Sequence, residues 1–120
     1  MSGASGSLGT SVKSATVTKQ FANDFDNTAG ASALVLNKAS LLALSGAGSA
    51  GIYSYDISII SSPASVEFKQ GATAKIMMRQ GDSESRAGAD NDDNTLSQAD
   101  EFTLTLPIGA VARIRWVEIV

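Results

Sequence analysis

Ile52-Tyr53-Ser54-Tyr55-Asp56-Ile57-Ser58-Ile59-Ile60-Ser61 is the stretch that decides the fold. Tyr53, Tyr55, Ile57 and Ile59 recur at every second position, with Ser54, Asp56 and Ser58 between them. Successive strand side chains point to opposite faces, so this spacing puts the large apolar groups on one face and the small polar ones on the other. A helix would scatter both sets around its axis, and the segment is therefore expected to be a strand with one face in a core. The pattern recurs along the chain. Val66 and Phe68 alternate with Glu67 and Lys69, Ile76 and Met78 with Lys75 and Arg79, and Phe102, Leu104 and Leu106 with Glu101, Thr103 and Thr105. Residues 14–21 carry a weaker version, Ala15, Val17 and Phe21 against Thr16 and Thr18.

Turn chemistry punctuates these runs: Gln70-Gly71 closes a hairpin, and Ser62-Pro63 and Pro107-Ile108-Gly109 mark two further bends. Residues 33–44 read two ways. Val35, Ala39 and Leu42 suit a helix face, and two short strands broken at Asn37-Lys38 suit the apolar runs equally well. About seven or eight short antiparallel strands are expected in all, which points to an all-β domain, an antiparallel β-sandwich or jelly roll, over residues 12–120. In the last strand Ile114 and Trp116 share one face and Arg113 and Arg115 the other, yet Val117 and Ile119 continue the arginine face with apolar groups. That end is expected to be either a central strand covered on both sides or a subunit interface; Met77, outward beside Lys75 and Arg79, has the same two readings.

Composition removes much chemistry. The chain of 120 residues has neither cysteine nor histidine. Disulfide scaffolds, Cys/His zinc sites, thiol nucleophiles and Ser-His-Asp arrangements are thereby excluded, and no cofactor and no enzymatic activity are expected. A net charge of −3 with thinly spread basic residues gives no footprint for a phosphate backbone, so nucleic acid is not an expected partner. Apolar runs fall far short of the roughly 20 residues that cross a bilayer, and the N-terminus lacks the basic and apolar regions of a signal peptide. No membrane association and no secretion by that route are expected.

Asp90-Asn91-Asp92-Asp93-Asn94, with Glu101 at the twelfth place, resembles the ligand spacing of a calcium loop. Asp90, Asp92, Asn94 and Glu101 are the candidate ligands. Thr95 stands where the sharp turn needs glycine, and the flanking segments are not helices, so a solvated acidic loop is the favoured expectation. Asp24-Phe25-Asp26-Asn27 reads as a second acidic turn whose Phe25 is free to stack, and Asp56 reads as a solvated carboxylate on a polar strand face. Residues 46–51 are glycine-rich but lack the Lys-Ser/Thr pair and following helix of a phosphate loop.

Residues 1–11, Met-Ser-Gly-Ala-Ser-Gly-Ser-Leu-Gly-Thr-Ser, read as a flexible Gly/Ser-rich arm reaching roughly 35 Å at ~3.3 Å per residue, enough to cross onto a neighbouring subunit. Ser2, Gly3 and Leu8 in the arm, with Met77, Val117 and Ile119, are the candidate interface residues. The arm, the short Thr/Ser/Ala-rich strands, the Thr-Leu-Thr-Leu-Pro-Ile-Gly bend at 103–109 and the closing Ala-Arg-Ile-Arg-Trp-Val-Glu-Ile-Val resemble small β-sandwich proteins of tailed-bacteriophage virions, nearest to capsid decoration (cement) proteins. That resemblance implies a homo-oligomer, a trimer, made in the host cytoplasm and assembled on the major capsid protein of a virion. It carries no individual functional residue across. A fibre or spike domain binding host-surface glycan is the alternative.

Overall fold

The computed structural model describes residues 18–45, 51–89 and 96–119. Eight strands and one short helix follow in order: β1 (Thr18–Asp26), β2 (Leu34–Asn37), α1 (Lys38–Ser45), β3 (Gly51–Ser61), β4 (Val66–Gln70), β5 (Ile76–Met78), β6 (Ser83–Ala87), β7 (Phe102–Leu106) and β8 (Val111–Ile119). They form two four-stranded sheets, β1-β8-β3-β6 and β2-β7-β4-β5. Every pairing is antiparallel, and β1 pairs with β8, β2 with β7, β3 with β6 and β4 with β5. The chain thus doubles back on itself at the β4–β5 turn, and the resulting long hairpin wraps so that its two halves alternate between sheets. This is the jelly-roll arrangement of an all-β sandwich.

Alternation supplies the core. Val66, Phe68, Leu104, Leu106, Ile57, Ile114 and Ala112 are fully buried between the sheets. The Tyr55 and Phe102 rings meet across the sandwich at 4.8 Å between centroids, and Phe21 stacks on Trp116 within the first sheet at 5.5 Å. Gln70 Nε2 donates to Tyr55 Oη at 3.2 Å, giving the buried phenol a polar partner, while burial pushes its pKa up.

The structure departs from the sequence pattern where the ladder slips. In β3 the register against β8 shifts between Ile52 and Ser54 and again between Ile59 and Ser61. Tyr53 and Ile60 are the inserted residues of two β-bulges, and a bulge reverses which face the following side chains use. Ile52 therefore joins the core at 3% exposure and Tyr53 is only half-buried, while Ile60 stays on the outer face that simple alternation already gives it. Asp24-Phe25-Asp26 is not a free turn: β1 runs through it, and Phe25 packs against the core. Ile76 is exposed although in phase with buried Met78, because β5 is a three-residue edge strand.

Residues 33–44 combine the two expectations, a strand to Asn37 and then a helix. Asn37 Oδ1 accepts from the Ser40 amide at 3.2 Å, and Ser40 Oγ accepts from the Asn37 amide at 3.0 Å. This reciprocal cap satisfies two backbone donors at the point where the strand must become a helix. Leu41 is the side chain that α1 buries fully, and of the expected Val35, Ala39 and Leu42 face only Leu42 packs against the core, half-buried, while Val35 and Ala39 are exposed. Pro107-Ile108-Gly109 forms the β7–β8 turn, with Gly109 at φ 93°, a conformation that side chains other than glycine adopt only with strain.

Asn27 holds this end of the sandwich together. Its Nδ2 donates to Ser32 O and Leu106 O at 3.1 Å each, its amide donates to Ala110 O, and its carbonyl accepts from the Gly30 and Gly109 amides. One buried residue thereby ties the end of β1 to the β7–β8 turn. Gly30 is confined by it, since a Cβ there would lie 1.9 Å from Asn27 Oδ1.

Candidate functional site on the outer face of the first sheet

The outer face of β1-β8-β3-β6 carries the charged residues that the register brings into rows. Asp24, Arg113 and Ser58 form one row with Ser83, Ala22, Arg115, Asp56 and Ser85 the next, and Gln20, Val117, Ser54 and Ala87 a third. β8 lies between β1 and β3, so both arginines have neighbours on either side. Arg113 closes a fork on Asp24, Nε to Oδ1 at 2.8 Å and Nη2 to Oδ2 at 3.1 Å. This hydrogen-bonded guanidinium holds the Asp24 carboxyl below its ordinary pKa. Arg115 is different. Its Nη1 stops 3.9 Å from Asp56 Oδ2, an ion pair without a hydrogen bond.

The second and third rows border an open groove of about 1000 Å³. Small side chains, Ala22, Ser54, Ser85 and Ala87, leave its floor uncrowded, and Phe21, Tyr55, Arg86, Trp116, Gly88, Ala89 and residues 97–100 also line it. Gly88, Ser97 and Ala99 are held by backbone bonds, Gly88 N to Tyr53 O at 2.6 Å, Ser97 N to Ala89 O at 2.7 Å and Ala99 N to Ile52 O at 2.9 Å. Arg86 reaches Asp100 at 2.6 Å, linking β6 to the segment that leads into β7. The groove can offer hydrogen-bond donors and acceptors of both charges over a small-residue surface.

The expected site residues fall in different places. Val117 and Ile119 are half-buried on the face that carries the arginines, Val117 within the groove. Met77 is 56% exposed on edge strand β5, remote in the fold from the groove's sheet. Glu101 is exposed immediately before β7, whereas Asp90, Asp92 and Asn94 lie outside the described residues, as do Ser2, Gly3 and Leu8 and the arm that holds them. Among the described residues no three His, Cys, Asp or Glu side chains cluster as a metal site. No helix of the described residues is long and apolar enough to cross a membrane.

Two features escape sequence reasoning. Glu118 is buried at 1% exposure, and its Oε2 accepts from Trp116 Nε1 at 2.8 Å. Its phase with Ile114 and Trp116 was the available signal, visible only if an acid is allowed on a core face. The Arg–Asp pairs join residues up to 89 positions apart, and nothing local announces them. The chain matches no protein-family model, no characterised protein and no solved structure. The class that the fold defines is that of an all-β, two-sheet sandwich.

Proposed function

We propose that this chain is a non-enzymatic structural protein of a tailed-bacteriophage virion, a homotrimer that decorates the capsid and stabilises it by clamping neighbouring major capsid subunits. The observation that carries this reading is the character of the second sheet's edges. Val35 on edge strand β2 and Ile76 and Met77 on edge strand β5 are 53%, 43% and 56% exposed. An edge strand offers unpaired backbone groups, and apolar side chains beside them favour covering by another chain. The first sheet's edges, Thr-Lys-Gln-Phe-Ala-Asn-Asp-Phe-Asp in β1 and Ser-Glu-Ser-Arg-Ala in β6, are polar by contrast. Jelly rolls serve in viral capsid and lectin domains alike, an analogy of fold that supports the reading without deciding it.

The test is solution mass by light scattering together with co-sedimentation on undecorated capsid shells. A mass three times that of the 12.3 kDa chain and saturable shell binding are expected. Met77→Lys with Val35→Lys should abolish both while the unfolding free energy stays within the ~0.5 kcal/mol typical of surface changes. A monomer that ignores the shells would overturn the proposal. A fibre or spike domain that binds host-surface glycan is the second reading, favoured by the open groove on the first sheet with its exposed Asp56 and Arg115.

A further inference from the structure

We propose that the groove on the first sheet binds a neutral saccharide whose adjacent hydroxyls bridge Asp56 and Arg115. This inference rests on the glycan-binding reading and gives it a site and a ligand chemistry. The contrast between the two arginines carries it. Arg113 is committed to the Asp24 fork. One row along, Arg115 and Asp56 stand 3.9 Å apart with side chains 60% and 42% exposed. That separation leaves the guanidinium its donors and the carboxylate its acceptor positions, each facing solvent. A hydroxyl both donates and accepts, so two adjacent sugar hydroxyls can donate hydrogen bonds to the Asp56 carboxylate and accept them from Arg115, completing what the pair leaves unmade.

The surroundings fit the same class of ligand. Gln20 and Ser54, one row away, add an amide and a hydroxyl, and Val117 and Ala87 in that row offer apolar contact to the C–H face of a ring. The lining holds Arg86 and Arg115 against Asp56 and Asp100, so its charges balance, and the chain as a whole is at −3. Neither attracts a polyanion, which favours a neutral sugar over an acidic one. The Tyr55 and Trp116 rings are each only 3% exposed, and the half-buried Phe21 is already stacked on Trp116 at 5.5 Å against the core, so the groove's aromatics are committed inward and offer no open stacking platform. Binding then depends on hydrogen bonds in an open groove, and a single-site dissociation constant on the order of millimolar is expected.

The experiment uses the full chain and neutral gluco-, galacto- and manno-configured hexasaccharides, with oligogalacturonate as the acidic comparison, followed by amide chemical shifts in NMR titrations. Shifts at Gln20, Ser54, Ser85 and Ala87 with at least one neutral probe are expected. Asp56→Asn and Arg115→Gln should each weaken binding at least tenfold with unchanged melting temperature, and Arg113→Gln, outside the groove, should leave affinity unaltered. Binding that survives both groove variants, or shifts confined to the second sheet, would overturn this site while leaving the glycan reading in place. Binding of oligogalacturonate alone would overturn the neutral-sugar assignment. No binding of any probe would overturn both the site and the glycan reading on which it rests.

Discussion

The two sheets share one core and differ in what they turn outward. The first, β1-β8-β3-β6, presents rows of Ser, Ala, Asp and Arg over a groove, and its edge strands are polar. The second, β2-β7-β4-β5, presents Thr103, Thr105, Glu67 and Lys69 along its middle but Val35 and Met77 at its borders. Glu67 is engaged by Lys75 at 2.6 Å within the β4–β5 hairpin. Identical inward alternation thus coexists with two unlike outer surfaces, one an open groove with charged pairs over small side chains and the other bordered by exposed apolar residues on its edge strands. What faces inward is set by the need to exclude water, whereas outward positions are free to differ, since either surface satisfies the fold.

The largest effect expected is on the inner side of the first sheet. Trp116→Ala should cost about 3 to 5 kcal/mol, the range for deleting a buried tryptophan, because it opens a cavity against Phe21 and removes the donor to Glu118. Chemical denaturation measures it, and a loss below about 1 kcal/mol would mean that the first sheet's inner face does not contribute to the core as the second's does. Asn27→Ala should come next, at about 1 to 3 kcal/mol, because its side chain satisfies the Ser32 and Leu106 carbonyls at the junction between the sheets. Hydrogen exchange should then accelerate around residues 107–110 in preference to the β4–β5 hairpin. Uniform acceleration would show that the two sheets open as one unit.

The smallest effect concerns pH and the first sheet's rim. Hydrogen bonds from Arg113 lower the pKa of Asp24, and those from Thr28 lower that of Asp26, both from the ordinary 3.8. A carboxylate whose folded pKa is depressed adds stability that is fully present above its unfolded value and is lost as pH falls through the folded one. Melting temperature should therefore decline as pH falls below about 4, and Arg113→Gln should flatten the Asp24 part of that decline. The same acid limb in the variant would remove the Asp24–Arg113 fork from the account. Solvent screening keeps the effect small.

The β4 and β7 patterns read correctly from sequence because their alternation is uninterrupted: Val66, Phe68, Phe102, Leu104 and Leu106 are all buried. The turns at Gln70-Gly71 and Pro107-Ile108-Gly109 were legible for a similar reason, since their residue types carry their own backbone preferences. The candidate groove was legible only in fragments. Asp56, Arg115 and Val117 each read as outward residues, but the registers that put Asp56 opposite Arg115 and Ser54 opposite Val117 are pairings of distant strands. Phe25 and Tyr53 misled in opposite directions, Phe25 because its acidic neighbours look like a turn, Tyr53 because a bulge leaves no mark in a run of alternating residues.

By itself, the sequence determined the all-β class, the alternating core of β4 and β7 and the absence of cysteine and histidine chemistry, because those follow from the order and kind of side chains along one chain. Only the tertiary structure decided the doubled-back wrapping of the eight strands, the burial of Glu118 beside Trp116, and the division between a closed Asp24–Arg113 pair and an open Asp56–Arg115 pair. Strand alternation has a period of two and fixes which face a side chain takes. Register and bulges fix which residue it meets, and these are settled by pairing across the sheet, where each partner lies tens of positions away in the chain.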